Sequence, residues 1–319
     1  MNEEKSSFMD QLFTEPVYSD SPQTEALFLK ALQEELIFHY EHNDMYRQFC
    51  NRKGFDPHAE LNDIKQIPPV AVSVFKNLGY GLASVPKEDI KLRLQSSATS
   101  GTPSTVVVDK ITSKRQAKAM VKVMQEFIGK DRKPFLVMDI DPRSEFRSLL
   151  GARFAAITGY LNFASKSGFF LKAKNGVSYF DIDAIKEYLT TIPSDQPVVV
   201  FGFTYIMYSN VLKAILAKGE KIQLPKGSKI IHIGGWKKLE AEKVEKSLFN
   251  QQLADGFGID PTDVIDIYGF TEQMGLNYPD CPCGCKHTSA YVNVLVRDVV
   301  TREVLPAGKE GMMEFATPI

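Results

Sequence analysis

Three stretches of the chain carry side chains that suit phosphate and nucleotide chemistry. The first covers residues 96–104 and contains Ser97, Thr99, Ser100, Gly101 and Thr102. A loop of this composition can direct backbone N–H groups and hydroxyls at a phosphate. It lacks the Gly-Lys-Ser/Thr ending of a Walker loop, so it does not predict an ordinary P-loop NTPase.

The other two stretches are Gly234-Gly235-Trp236 and the run Tyr268-Gly269-Phe270-Thr271-Glu272. Paired glycines let a flat ring approach the backbone. Tyr268 offers an aromatic face, Thr271 a hydroxyl, and Glu272 a carboxylate that can hold Mg²⁺ between phosphates. Because ligands of an open parallel sheet bind outside the carboxyl ends of its strands, we expect all three stretches to follow strands of one such sheet.

Apolar segments of strand and helix type alternate along the chain and predict an α/β fold, with a mostly parallel sheet flanked by helices. The predicted strands are 91–94, 134–140, 197–201, 229–233 and 264–268, and the predicted helices are 25–50, 111–127, 145–163, 181–189, 205–216 and 239–253. Residues 291–297 and 311–316 alternate like antiparallel strands. We therefore expect a flexible arm over residues 1–20 and one large domain over 21–319, with a β-rich end at 280–319.

The composition is that of a soluble globular protein, with 44% hydrophobic and 24% charged residues. A net charge of -1 gives no support for binding to nucleic acid or to an anionic membrane. The sequence shows no signal peptide and no apolar run that predicts membrane insertion. Four cysteines, three of them clustered, do not resemble a disulfide framework, so we expect a cytoplasmic protein.

The clustered thiols lie in Cys281-Pro282-Cys283-Gly284-Cys285-Lys286-His287. One interpretation is a zinc site built from Cys281, Cys283, Cys285 and His287, although one residue between cysteines is less than zinc sites commonly have. A second is a thiolate that accepts an acyl group, activated by Lys286 and His287. A third is a reduced surface loop without metal. The sequence leaves all three open.

The loop at 96–103 and the run at 268–272 resemble the two nucleotide motifs of the acyl-adenylate-forming superfamily. Within it, the run Ile-His-Ile-Gly-Gly-Trp-Lys-Lys at 231–238 is similar to the LuxE-type acyl-protein synthetases, which are related to the phenylacetate–CoA ligases. Residues 148–156 and 268–280 are also similar to that type. The resemblance covers most of residues 25–319.

The resemblance implies that a carboxylate attacks the α-phosphate of ATP to give an acyl-adenylate, and that a thiol then takes the acyl group. It implies phosphate contacts for Ser97, Thr99, Ser100, Gly101 and Thr102, and an adenine pocket lined by Gly234, Gly235 and Trp236. It also implies adenine stacking on Tyr268, with Gly269 beside it as a further nucleotide-binding residue. Thr271 would reach the α-phosphate and Glu272 would hold Mg²⁺, as the catalytic pair. The acid, with a fatty acid favoured, would be passed to a protein thiol, and an acyl-CoA reductase is the implied partner.

Two positions depart from the superfamily pattern, because Ala98 replaces a usual glycine and Ser104 a usual lysine. The ribose-binding aspartate, the lid domain with its catalytic lysine and the LuxE-type acceptor cysteine would fall after Ile319, so we expect this chain to lack the lid. Two alternatives to an acyl-protein synthetase are an acyl- or aryl-CoA ligase of the phenylacetate type and a non-catalytic nucleotide-binding fragment.

Overall fold

A computed structural model describes residues 7–96, 102–141, 143, 151–174 and 177–319. Within these limits the chain divides into two units, one of residues 7–123, 271–276 and 288–319, and one of residues 124–270 and 277–287. We had expected a single domain over 21–319. In the described part of the chain, no helix is both long and apolar enough to cross a bilayer.

The second unit is built on a six-stranded sheet with strand order β10-β9-β8-β7-β3-β4. Its strands are β3 (Lys133–Val137), β4 (Ala164–Phe169), β7 (Val199–Phe203), β8 (Lys229–Ile233), β9 (Val264–Tyr268) and β10 (Tyr278–Pro279). All neighbours pair in parallel except β10, which runs antiparallel to β9. The predicted mostly parallel sheet is confirmed, and the predictions for β8 and β9 have the observed bounds.

Helices cover both faces of this sheet. They are α6 (Gly151–Tyr160), α7 (Ile182–Thr190), α8 (Thr204–Ile206), a π-helix (Met207–Leu212), α9 (Lys213–Lys218) and α10 (Lys246–Phe257), and a β5–β6 hairpin (Leu171–Lys174, Val177–Phe180) joins β4 to α7. Along β7, Val200 packs into the core that contains Ile185, while the next residue, Phe201, stacks on Tyr160 of α6 at 4.3 Å between ring centroids. Successive strand residues point to opposite faces, so both faces are buried.

The first unit combines helices with two small antiparallel sheets. Its elements are α1 (Phe8–Leu12), α2 (Pro22–His42), α3 (Asp44–Lys53), α4 (Ser73–Asn77), β1 (Ile90–Gln95), β2 (Thr105–Asp109), β11 (Asn293–Arg297) and β12 (Met312–Ala316), and α5 (Lys110–Ile128) supplies residues to both units. The β11–β12 pair confirms the predicted antiparallel end. Residues 7–20 are not the expected flexible arm, because Met9 and Leu12 of α1 are fully buried.

The single helix predicted over 25–50 is two helices that meet at Asn43. This residue has an extended backbone, and its side-chain oxygen accepts a hydrogen bond from the Tyr46 N–H at the start of α3. Its side-chain nitrogen, Nδ2, donates hydrogen bonds to the carbonyls of Gly81 and Ala83 at 3.0 and 2.9 Å. The break is therefore set by contacts that are distant in sequence, which periodicity does not reveal.

The Ser/Thr loop at 96–104 lies in a different place from the one that we predicted. It joins β1 to β2, which form a separate antiparallel pair, and does not follow a strand of the parallel sheet. The base of the loop is closed by Ser96 N–H to the Ser104 carbonyl at 3.1 Å and by Ser104 N–H to Ser96 Oγ at 2.9 Å. Sequence analysis missed β2, although its Val-Val-Val run is typical of a strand.

Gly275, shortly after the Thr271-Glu272 pair, is tightly constrained. Its φ of +91° favours glycine, and a Cβ atom there would lie 2.8 Å from the backbone oxygen of Gln116 on α5. We predict that Gly275→Ala lowers the free energy of unfolding by about 2–4 kcal/mol, from backbone strain and overpacking together. Urea denaturation would measure the loss.

Gly54→Ala is the matched control, since Gly54 has a φ of +66° and no atom within 4 Å of an added Cβ. It should lose about 1 kcal/mol from backbone strain alone. Equal losses in the two variants would contradict the close approach of Gly275 to α5.

Candidate functional site

The register of two parallel strands places Gly234 beside Tyr268. Ile233, the last residue of β8, lies opposite Ile267 of β9. The next residue on each strand is Gly234 and Tyr268, respectively, and neighbouring strands are about 4.8 Å apart. A glycine and an aromatic ring therefore leave the carboxyl edge of the sheet side by side, which is where ligands of open α/β sheets bind.

Gly234 and Gly235 leave open space at this edge. Gly234 has a φ of +87°, a conformation that favours glycine, and both residues are exposed. A Cβ atom added at Gly235 would meet no atom within 4 Å. The backbone after β8 can therefore be approached closely by a flat group.

Tyr268 is held in place by two other aromatic rings and still exposes 40% of its surface. Its ring centroid lies 5.6 Å from that of Phe270 and 5.9 Å from that of Tyr278, which is its partner on β10. Phe270 and Tyr278 stack at 6.4 Å with an interplanar angle of 8°. The three rings form a supported platform at the sheet edge, and sequence analysis did not single out Tyr278 or Phe270 for it.

Trp236 belongs to the hydrophobic core, so the prediction that its ring lines an adenine pocket is not supported. Only 8% of the residue is exposed. Its ring lies 4.8 Å from Tyr208, on the π-helix, and 5.6 Å from Phe249, on α10. An apolar ring two residues beyond Gly234 is drawn into the apolar space between these helices rather than toward the open edge.

Three other predicted contacts, Thr102, Thr271 and Glu272, lie in the first unit. Thr271 and Glu272 begin a 3-10 helix, Thr271–Gln273, and both are partly exposed. Thr102 is exposed at the end of the 96–104 loop, whereas Ser97, Thr99, Ser100 and Gly101 lie outside the described residues. Gly269, between Tyr268 and Phe270, is partly exposed.

A buried polar cluster stands at the carboxyl ends of β3 and β7, and sequence analysis did not identify it. Asp139 is fully buried and accepts a hydrogen bond from Arg153 of α6 at 2.7 Å. Arg153 also donates to the Tyr205 hydroxyl at 2.6 Å. Charge pairing of this kind compensates much of the cost of burying Asp139.

His232, the last but one residue of β8, is buried within a chain of polar groups. Its Nδ1 atom lies 2.9 Å from the Thr204 hydroxyl and 3.5 Å from an Asp266 oxygen, and its Nε2 atom lies 3.3 Å from the Asn250 side-chain oxygen. Burial lowers the pKa of His232, and the nearby Asp266 carboxylate opposes that shift. These contacts are those of a hydrogen-bonded core histidine.

The same polar chain continues to the strand that supports Tyr268. Lys286 Nζ lies 3.0 Å from a carboxylate oxygen of Asp266 and 3.0 Å from one of Asp280. Lys246 reaches the other Asp280 oxygen at 2.8 Å. Because Asp280 N–H also donates to the Asp266 carbonyl, β10 and the segment after it are fastened to β9.

The cysteine cluster forms a tight hairpin. Among the described residues, no group of three or more His, Cys, Asp or Glu side chains is placed to hold a metal ion, and this includes Cys281, Cys283, Cys285 and His287. The hairpin instead closes on itself, with Cys281 N–H donating to the Cys285 carbonyl at 2.9 Å. The geometry therefore gives no support to the predicted zinc site.

The hairpin also lies away from Tyr268. Tyr278 pairs with Tyr268 and Pro279 with Ile267, and Asp280 bonds to Asp266, so β10 runs toward the amino end of β9. Cys281 then lies level with a position three residues before Tyr268, about 10 Å along the strand. This separation argues against Cys281 as a direct acyl acceptor from a group bound on Tyr268.

Comparison with known proteins identifies the family. The family model of the acyl-protein synthetase LuxE matches residues 3–319. The chain belongs to the LuxE acyl-protein synthetase family. It is 25% identical over 290 residues to the long-chain-fatty-acid–luciferin-component ligase of Vibrio harveyi, covering 87% of this chain and 71% of that protein. The protein of the same name from Aliivibrio fischeri is 24% identical over 294 residues, which cover 90% and 73% of the two chains.

Solved structures place this family member among the adenylate-forming enzymes by fold. A 2-hydroxyisobutyryl-CoA ligase in complex with 2-HIB-AMP and CoA matches with a TM-score of 0.67 at 14% identity, over 95% of this chain and 61% of that chain. The same enzyme in its postadenylation state matches with a TM-score of 0.66 at 13% identity. The chain thus spans about three fifths of these neighbours, and the predicted adenylate-forming fold is confirmed.

The buried state of His232 predicts a pH-dependent stability. Its pKa is lowered below the usual 6.5, so the unfolded chain binds the proton more readily than the folded one. The contribution of the neutral ring to the free energy of unfolding is fully present above pH 6.5. It is lost as the pH falls from there through the pKa of His232 in the folded chain. When the pH is lowered from neutral to mildly acidic, the free energy of unfolding of His232→Gln should therefore fall by less than that of wild type. Urea denaturation at each pH would measure both.

His287→Gln, at an exposed position, is the control and should keep the wild-type dependence. Part of the pH dependence of the free energy of unfolding should remain in both variants, because burial also lowers the pKa of His39. The same pH dependence in His232→Gln as in wild type would contradict a buried neutral His232.

Proposed function

We propose that this chain activates a carboxylic acid, a fatty acid in the first instance, with ATP and passes the acyl group to a protein thiol. The observation that carries the proposal is its membership of the LuxE acyl-protein synthetase family over residues 3–319. It is supported by the names of its relatives, which are long-chain-fatty-acid–luciferin-component ligases. An open carboxyl edge with a supported aromatic ring and two exposed glycines fits such an activity.

In this proposal the adenine ring of ATP stacks on Tyr268 and lies over the backbone of Gly234 and Gly235. The exposed face of Tyr268 and the open space at Gly235 support this assignment. Gly269, which follows Tyr268 and is partly exposed, is proposed for the same site. Base stacking on an aromatic side chain contributes about 1–3 kcal/mol.

The phosphates would be bound by hydroxyl and N–H donors and by one divalent cation. We assign the α-phosphate to Thr271 and Mg²⁺ to Glu272, because a hydroxyl donor and a carboxylate are the ligands that these groups prefer. Ser97, Thr99, Ser100, Gly101 and Thr102 are proposed for the pyrophosphate end. Mg²⁺ bound there would neutralise the charge that develops on the phosphates.

A thiol would then attack the acyl-adenylate carbonyl, forming the thioester and releasing AMP. A protein thiol is proposed as the acceptor, with an acyl-CoA reductase as the partner that uses the acyl group. CoA as the acceptor is the second candidate, since the neighbours of known structure are CoA ligases. The expected cytoplasmic location stays a prediction.

Removing the Tyr268 ring should weaken nucleotide binding. We predict that Tyr268→Ala raises the Kd of ATP by about 5- to 150-fold, which is the stacking contribution of one base. Isothermal titration calorimetry with Mg²⁺ present would measure it. The matched control is Tyr179→Ala, because Tyr179 on β6 is exposed to a similar degree, 46% against 40%.

Equal affinity in Tyr268→Ala and wild type, with both folded by circular dichroism, would contradict the assignment of Tyr268. No detectable ATP binding by folded wild type would contradict the proposed function and the nucleotide-binding fragment alike.

Replacing Glu272 should weaken Mg²⁺ binding and remove most of the activity. We predict that Glu272→Gln lowers the rate of fatty-acid-dependent ATP–pyrophosphate exchange by about 100-fold or more, because charge stabilisation at phosphorus is lost. The control is Glu310→Gln, an exposed carboxylate of the same unit. A wild-type rate and Mg²⁺ dependence in Glu272→Gln would exclude Glu272 as the metal ligand.

The acceptor can be identified with labelled fatty acid and ATP. With an acyl-CoA reductase present as the acceptor protein, protein-bound label that is released by neutral hydroxylamine is the expected result, since thioesters react with that reagent. Label recovered as acyl-CoA only when CoA is added would contradict protein acylation and favour the CoA ligase.

A further inference from the structure

The three clustered cysteines lie in a hairpin whose backbone pairing sets Cys281 opposite Cys285. Asp280 pairs with Lys286 in antiparallel fashion, and the Gly284 N–H donates to the Cys281 carbonyl at 2.8 Å. Gly284 has a φ of +75°. This is the three-residue hairpin loop with glycine in the left-handed position, and it places Cys281 and Cys285 opposite each other.

Groups of Cys283 and Cys285 lie near the sulfur of Cys281. The backbone N–H groups of Cys285 and Cys283 and the thiol of Cys283 lower the pKa of the Cys281 thiol, against the opposing effect of burial. Hydrogen-bonded cross-strand residues have Cα atoms about 5.5 Å apart, inside the range of about 4.4–6.8 Å that a disulfide spans. Cys281 therefore has two potential partners, one through the sulfur contact with Cys283 and one across the hairpin.

The hairpin is also accessible and firmly attached. Cys281 is partly exposed, and Cys283 and Cys285 are exposed, with all three as free thiols. Lys246 fastens the loop by donating to the Gly284 carbonyl at 2.7 Å as well as to Asp280. A reagent can reach the thiols while the backbone holds them close.

We propose that residues 281–285 form a dithiol site, in which Cys281 is the attacking thiol and low-molecular-weight disulfides are the reactants. This site is separate from the ATP site and does not depend on the proposed function. Cys50, the fourth cysteine, is fully buried and takes no part.

The reaction is a two-step thiol–disulfide exchange. The Cys281 thiolate attacks one sulfur of a disulfide RSSR, which forms a Cys281–SR bond and releases RS⁻. The thiol of Cys283 or Cys285 loses its proton and attacks the Cys281 sulfur, which releases the second RS⁻. The protein is oxidised by two electrons and loses two hydrogen atoms, and RSSR is reduced to two RSH.

The test treats the reduced, full-length chain with glutathione disulfide and follows it by intact-mass and peptide mass spectrometry. We expect wild type to lose two hydrogen atoms, with the new disulfide inside the peptide that contains residues 281–285. Cys283→Ala and Cys285→Ala should each still form a disulfide, because one partner remains. The Cys283/Cys285 double alanine variant should stop at a stable glutathione adduct on Cys281.

Cys281→Ser should lose the fast reaction, and Cys50→Ser is the control that should behave as wild type. Three results would overturn the proposal. They are a Cys283–Cys285 disulfide that forms in Cys281→Ser at the wild-type rate, no disulfide in wild type, and a stoichiometric metal ion in the reduced protein that blocks the thiols. Circular dichroism checks that each variant is folded.

Discussion

The parallel pairing of β8 with β9 is the constraint on which the rest of the site depends. Ile233 opposite Ile267 fixes which residues leave the sheet together, and these are Gly234 and Tyr268. A slip by one residue would reverse the facing of every side chain on one strand. The apolar residues that bury both faces of these strands therefore determine the position of the candidate nucleotide site.

The antiparallel strand β10 adds a second constraint at the same edge. It places Tyr278 against Tyr268, and the ion pairs of Lys286 and Lys246 fasten the segment that follows it. Buried or half-buried ion pairs contribute little to the free energy of unfolding, but they limit the conformations in which every charge has a partner. The aromatic platform therefore lies near the carboxyl end of β9, and the thiol hairpin lies toward its amino end.

Much of the sheet could be predicted from sequence, because β8 and β9 are short apolar runs with clear boundaries. The loop at 96–104 was assigned to the wrong kind of strand, since its composition resembles a phosphate loop whether or not a parallel sheet precedes it. Asn43 and Trp236 show the same limit, because contacts with residues distant in sequence decide where a helix breaks and where a ring packs. Tyr268, Gly234 and Gly235 could be proposed from their residue types and spacing. The support of Tyr268 by Tyr278 could not, because it depends on the register of β9 with β10.

ATP is proposed to bind on Tyr268 beside Gly234 and Gly235. Photolabelling with 8-azido-ATP and Mg²⁺, followed by peptide mapping with excess ATP as competitor, tests this position directly. We expect ATP-protectable label on the peptides that contain residues 234–235 and 268–270. Protectable label confined to peptides of other regions would contradict it.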